Sequence, residues 1–168
     1  IWCLLVGISF GLHLVTYIAS LNYTSVASAG ALASLQPVFV AIGASVFLRE
    51  RIGLRVRIGI ACAVVGGLIV GGGDLLTVTS TALIGDLLAL ICALMISLYF
   101  VAGRALRQHL DILPYLLVVY SSSMVVVAIL SLASGTPLTI SSPKSLVHLL
   151  ALGLISTALG HGIFNWAL

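Results

Sequence analysis

Residues 113–134 read LPYLLVVYSSSMVVVAILSLAS, with no charge among them. A hydrocarbon core of roughly 30 Å takes about 20 helical residues at about 1.5 Å each, so this stretch alone suffices to cross a bilayer. A membrane strand would alternate apolar and polar residues over about 10 positions. The runs Leu116-Leu117-Val118-Val119 and Val125-Val126-Val127 show no period of two, which selects helix. Working outward, five more stretches have this character: 82–103, 54–73, 26–48 and 1–21 before it, and 147–168 after it. The sequence predicts an all-α, polytopic membrane bundle of six transmembrane helices.

Composition points the same way. Hydrophobic residues are 61% of the 168, charged residues 7%, and the mean hydropathy is +1.31. A soluble domain carries about 25% charge to coat its surface. One buried helix in a soluble protein reaches such apolarity, but six in succession do not. The first stretch lacks a basic leader and is followed by more spans, so it does not read as a signal peptide. The chain starts at Ile1 without an initiator Met and stops at Leu168 inside an apolar run, which leads us to expect a piece of a longer protein. Cys3, Cys62 and Cys92 stand alone in separate spans and read as small buried apolar residues, without metal spacing or a disulfide framework.

The net charge of +3 is distributed unevenly. Arg49, Arg51, Arg55 and Arg57 occupy the second gap, Arg104 and Arg107 the fourth, and Lys144 alone lies at the opposite side. That asymmetry places the second and fourth gaps, and both chain ends, at the cytosol. The cations are interfacial and lack aromatic stacking partners, so no nucleic-acid partner is expected. Short connectors make successive helices antiparallel neighbours. Asn22 to Ser25, Gly71-Gly72-Gly73-Asp74 continuing to Thr81, and Gly135 to Ser145 with Pro137 and Pro143 read as turns or loops. Asp111 before Pro114 offers an N-cap for the fifth span. Small residues four apart, such as Gly7 and Gly11, Ala29 and Ala33, or Ala89 and Ala93, allow close helix approach, either as fixed packing or as sliding contacts.

Leu5–Leu21 laid over Leu152–Leu168 aligns Leu5 with Leu152, Ser9 with Ser156 and Leu12 with Leu159. The two spans run in opposite senses, as inverted-topology repeats do. The ordered set Leu21-Asn22-Tyr23-Thr24-Ser25, Leu35-Gln36-Pro37-Val38-Phe39, Leu48-Arg49-Glu50-Arg51, Gly59 and Gly66 resembles the EamA-type transporters of the drug/metabolite transporter superfamily. Leu83-Ile84-Gly85-Asp86 through Tyr99 and Arg104 is similar to the opening helix of that family's second repeat. The resemblance implies ten helices in two inverted five-helix repeats, of which this chain would hold helices three to eight. Residues 1–73 would then be the last three helices of the first repeat and 74–168 the first three of the second.

Pro37 lies mid-span, where it removes a backbone bond, bends the helix and frees the carbonyl of residue 33, either toward a cavity or as a purely structural kink. Gln36 faces either a neighbouring helix or a solute. His13 and His161 are intramembrane ionisable groups, nearly equivalent by the echo, and each either binds substrate or a proton or bonds a backbone carbonyl in neutral form. Tyr17 and Asn165 share their helix faces at a spacing of four. Asp86, a turn inside its span, reads as a solvated helix-start residue before a proton-coupling one. Glu50 between Arg49 and Arg51 reads as interfacial ion pairing that is structural or topological.

The sequence has no His-Glu-x-x-His, no Gly-rich loop followed by Lys and no paired aspartates on one span. No enzyme, metal or cofactor is expected. The reading is alternating-access transport of small metabolites or drugs across the cytoplasmic membrane, with His13, Tyr17, Gln36, Pro37, Tyr99, His161 and Asn165 as the cavity wall. The alternative is a non-transporting membrane scaffold or subunit. Expected partners are the bilayer, a small-molecule solute and a second copy in a homodimer. The polypeptide should stay folded only with detergent or lipid; a folded monomer in plain buffer on size-exclusion chromatography would overturn the bilayer reading.

Overall fold

The computed structural model describes residues 1–72, 80–135, 139 and 142–167, and every element among them is helical. The Gly73-Asp74 part of the third connector, Pro137 and Leu168 lie outside the described residues. The first span is α1 (Trp2–Ser20). The second divides into α2 (Val26–Ala33) and α3 (Gln36–Phe47). The rest are α4 (Leu54–Gly72), α5 (Ser80–Arg107), α6 (Ile112–Ala133), and a final span of α7 (Pro143–Ala151), a π-helical run (Leu152–His161) and α8 (Gly162–Ala167). Five stretches among the described residues are long and apolar enough to cross a membrane: Trp2–Ser20, Val26–Phe47, Thr81–Arg107, Ile112–Ala133 and Pro143–His161. The expected third span forms as α4, with Arg55 and Arg57 in its first turn.

Local chemistry sets the ends. Ser25 caps α2 by accepting from the Ser28 N–H at 3.0 Å, and Ser142 caps α7 by accepting from Ser145 N–H at 3.1 Å. Asp111 occupies the N-cap position of α6 as expected, but through its backbone carbonyl, with no side-chain cap bond. Arg49 ends α3 in the left-handed region (φ 56°), so that the Glu50 N–H turns back to the Ala44 carbonyl at 3.2 Å. Such a φ costs a side-chain-bearing residue about 1–2 kcal/mol.

The packing order differs from simple succession. α1 packs chiefly on α5 and α6 and barely touches α2; α5 is the centre, against α1, α2 and α3. The reason lies in small residues. A Cβ on Gly7 would meet the Ser122 Oγ at 1.7 Å and the Val119 carbonyl oxygen at 2.5 Å, and one on Gly11 would meet Val126 Cβ at 2.9 Å. The register rises on both helices, so α1 and α6 are parallel. Against α5 the register falls: the Ser9 hydroxyl donates to the Met95 carbonyl (2.6 Å), while His13 Nδ1 lies 3.2 Å from the Cys92 carbonyl. Ala89, Cys92 and Ala93 are fully buried on α5, whereas Cys62 is exposed and Cys3 half-buried, a correction to the expectation that all three cysteines are buried.

The core is the α1–α5–α6 junction: Val6, Phe10, Ile96, Tyr99, Phe100, Tyr115 and Val119. Large apolar side chains cover the outside; Leu113 is 77% exposed and Trp2 70%. Only an apolar surrounding makes such a surface stable. At the connector between α1 and α2 the Thr24 hydroxyl donates to Asp86 Oδ1 at 2.7 Å, and Gly85 lets that turn close on α5. Gly7→Ala should lower the unfolding free energy in detergent by about 1–3 kcal/mol, because the Val119 carbonyl cannot yield. Gly30, with nothing within 4 Å of a built Cβ, should tolerate alanine unchanged in the same titration.

Candidate functional site

Four of the seven residues expected to line a cavity meet at one place. Phe10, three residues before His13 and so on the same face of α1, is the hub. Its ring centroid lies 4.8 Å from Tyr99, 4.9 Å from His161, 5.8 Å from Tyr120 and 6.1 Å from His13. The imidazoles of His13 and His161 stand 6.5 Å apart, edge to face. Tyr99 reaches His161 at 6.1 Å, and its hydroxyl accepts from the Asn165 amide nitrogen. That nitrogen also donates to the His161 carbonyl at 2.6 Å. The group draws on the first, fourth and last spans together.

His13 and Tyr120 reach backbone carbonyls of neighbouring helices, and Asn165 is held through its own carbonyl. His13 Nδ1 is within reach of the Cys92 carbonyl at 3.2 Å and the Cys92 sulfur at 3.1 Å. Arg107, at the end of α5, donates through Nε to the Asn165 carbonyl at 3.4 Å, tying down α8. The Tyr120 hydroxyl donates to the Thr157 carbonyl within the π-helical run (3.3 Å). π-helical winding is rare in proteins and concentrates at functional sites. Three buried polar atoms of this region have no hydrogen-bond partner among the described residues: Tyr115 Oη, His161 Nδ1 and Asn165 Oδ1. A buried polar atom left unpaired costs about 1–3 kcal/mol, so two such acceptor-capable atoms on residues one turn apart, His161 and Asn165, mark this cluster out. No Arg, Lys, Asp or Glu side chain contributes to these ring contacts.

Gln36 and Pro37 are elsewhere. They line a groove of about 410 Å³ with Val40, Ala44, Arg51, Val56 and Arg104, which meets the aromatic group at Phe100 and Val40. Pro37 does more than bend its span. The helix stops at Ala33, passes through Ser34 and Leu35, and restarts with Pro37 in the first turn, where its missing N–H is not needed. The Ser97 hydroxyl of α5 lies 3.1 Å from the Gln36 carbonyl at that restart. Tyr17 is half-buried one turn beyond His13, and its side chain enters neither group's bonds. Glu50 pairs with Arg104 of α5 at 3.0 Å, rather than with its flanking Arg49 and Arg51.

Sequence reasoning passed over Phe10, Phe100 and Tyr120, although the spacing from Phe10 to His13 carried a signal for the first. It also passed over the pentad Gly7-Ile8-Ser9-Phe10-Gly11, which has Gly-x-Ser-x-Gly spacing. In a hydrolase that pattern needs a strand–turn–helix elbow presenting the serine. Here it lies within α1, and the Ser9 hydroxyl is spent on the Met95 carbonyl. Among the described residues no three His, Cys, Asp or Glu side chains gather as metal ligands.

The sequence was compared with known families and proteins. No curated protein and no solved structure matches the chain. The EamA-like transporter family matches it over residues 1–72 and 83–168, so the aromatic and imidazole group is built from both matched segments. By that match, which takes in nearly all of its length, the chain belongs to the EamA-like transporter family.

Proposed function

We propose that the chain forms part of a transporter that moves small polar or amphipathic metabolites across the cytoplasmic membrane by alternating access. The observation that carries the reading is the meeting of His13, from the first matched segment, with His161, Tyr99 and Asn165, from the second. Inverted-repeat transporters place the solute near the bilayer midplane, between their repeats. Residues 1–73 and 74–168 are the two repeat portions in this reading, and the gap between the matched segments falls close to that boundary.

The solute-contacting wall is then His13, Tyr99, His161 and Asn165. Asn165 Oδ1 and His161 Nδ1 are free to receive a solute's hydrogen-bond donors, which would remove the cost of leaving them unpaired. Gln36 and Pro37 act at one remove, as the break that lets α3 tilt against α5. The glycine notches of α1, filled by Ser122 and Val126 of α6, make those two helices one unit against which other helices move. Asp86, Arg49, Glu50 and Arg51 hold the connectors and the orientation, and a homodimer would assemble through the exposed apolar faces.

The test is flux in vesicles carrying the intact protein, measured with labelled amino acids, nucleosides and amphipathic drugs. Wild type should move at least one of them. Asn165→Leu and His161→Ala should each cut that flux about tenfold or more, corresponding to a loss of ~1.4 kcal/mol or more of solute stabilisation. Tyr17→Phe should leave it within about twofold, or ~0.4 kcal/mol. Absence of flux across the whole panel would favour the membrane scaffold instead.

A further inference from the structure

The groove between α3, α4 and α5 has a chemistry distinct from that of the imidazole group. Its walls are the apolar faces of Pro37, Val40, Ala44 and Val56. Its rim carries Glu50 and Arg51, from the connector between α3 and α4, and Arg104, from the last turn of α5. Two guanidinium groups against one carboxylate leave the rim with an excess positive charge. Glu50 takes Arg104 Nη1, but a guanidinium has five N–H donors in a planar fork. Arg51 is exposed and has no ion-pair partner among the described residues; Arg55 and Arg57, in the first turn of α4, are likewise exposed and without an ion pair.

We propose that this groove binds an anionic phospholipid from the leaflet at the arginine-bearing end, with the headgroup phosphate on Arg51 and Arg104 and an acyl chain along Val40, Ala44 and Val56. Charge complementarity selects the headgroup: the rim offers planar donors suited to a phosphate. The position selects a lipid over a dissolved anion. The arginines stand at the helix ends, where headgroups lie, while the apolar walls run inward from them along the helices. Val46, Phe47 and Leu54, which flank the lining residues in sequence, are 64%, 71% and 65% exposed, so the surface beside the groove is apolar and suits an acyl chain. Basic pockets between helices on the cytosolic side are suited to such headgroups. The site neither uses the solute-contacting wall nor depends on transport.

The intact protein, reconstituted in nanodiscs of equal parts phosphatidylglycerol and phosphatidylcholine and released for native mass spectrometry, should retain phosphatidylglycerol selectively. Arg51→Gln should weaken that retention about tenfold, the ratio that ~1.4 kcal/mol sets. Ala44→Phe, which fills the groove and keeps every arginine, should weaken it comparably, while Arg57→Gln, outside the groove, should leave it within twofold. Arg51 is exposed, so its variant tests the site even if the Ala44 variant fails to elute as a folded species. Equal retention of both lipids would overturn the proposal. So would an Arg57→Gln loss as large as that of Arg51→Gln, which would reveal diffuse surface attraction, or displacement by glycerol phosphate at the concentration of intact lipid, which would reveal a plain anion site.

Discussion

The close approach of α1 to α6 at Gly7 is the contact on which the arrangement depends. In lipid, helices gain no hydrophobic energy by leaving the tails, so association rests on close packing and interhelical hydrogen bonds. Gly7 supplies the first: its missing side chain is the space that Ser122 and the Val119 carbonyl occupy. Ser9 and His13 supply the second, two residues and six residues later on the same helix, each reaching a carbonyl of α5. Seated between its two neighbours in this way, α1 delivers Phe10 to the centre of the bundle, and the rings of Tyr99, Tyr120 and His161 gather on it. Without the glycine contact the aromatic hub would have no fixed place.

The polar chemistry follows from the same seating. An isolated histidine in hydrocarbon must find a partner, and the carbonyl of a neighbouring helix is the nearest acceptor. His13 has one in Cys92, while His161 Nδ1 has none among the described residues. Two histidines whose rings lie 6.5 Å apart thus have unequal surroundings. The one in the last span lies a helical turn from Asn165, whose oxygen is likewise unpaired among the described residues.

Helix positions were legible because apolar length is a one-dimensional property: the span boundaries at 1–21 and 26–48 lie within about one residue of Trp2–Ser20 and Val26–Phe47. Packing order was not legible, because Gly7 and Gly11 announce a close contact without naming its partner. The succession of short connectors argued for neighbouring pairs, yet α5 displaced α2 as the main partner of α1. Pro37 announced a bend, but the helix breaks completely at Ser34 and Leu35 and restarts with Pro37 in its first turn, which a single proline does not announce. His13 and His161 were each visible singly as anomalies in apolar sequence, and the structure sets their rings 6.5 Å apart. Gln36 and Tyr17 were equally visible yet joined neither imidazole, since helix rotation decides which way a polar residue faces and uniformly apolar surroundings do not record that rotation.

The π-helical run before His161 carries a last consequence. Wider winding turns the chain through less than the ~100° per residue of an α-helix, so angular phase shifts steadily across Leu152–His161. The run therefore acts as a vernier between α7, whose residues are largely exposed, and α8, whose Asn165 meets Tyr99. Relatives that tighten it by losing one residue would swing that amide toward the tails, so insertions and deletions there should be far rarer than point changes.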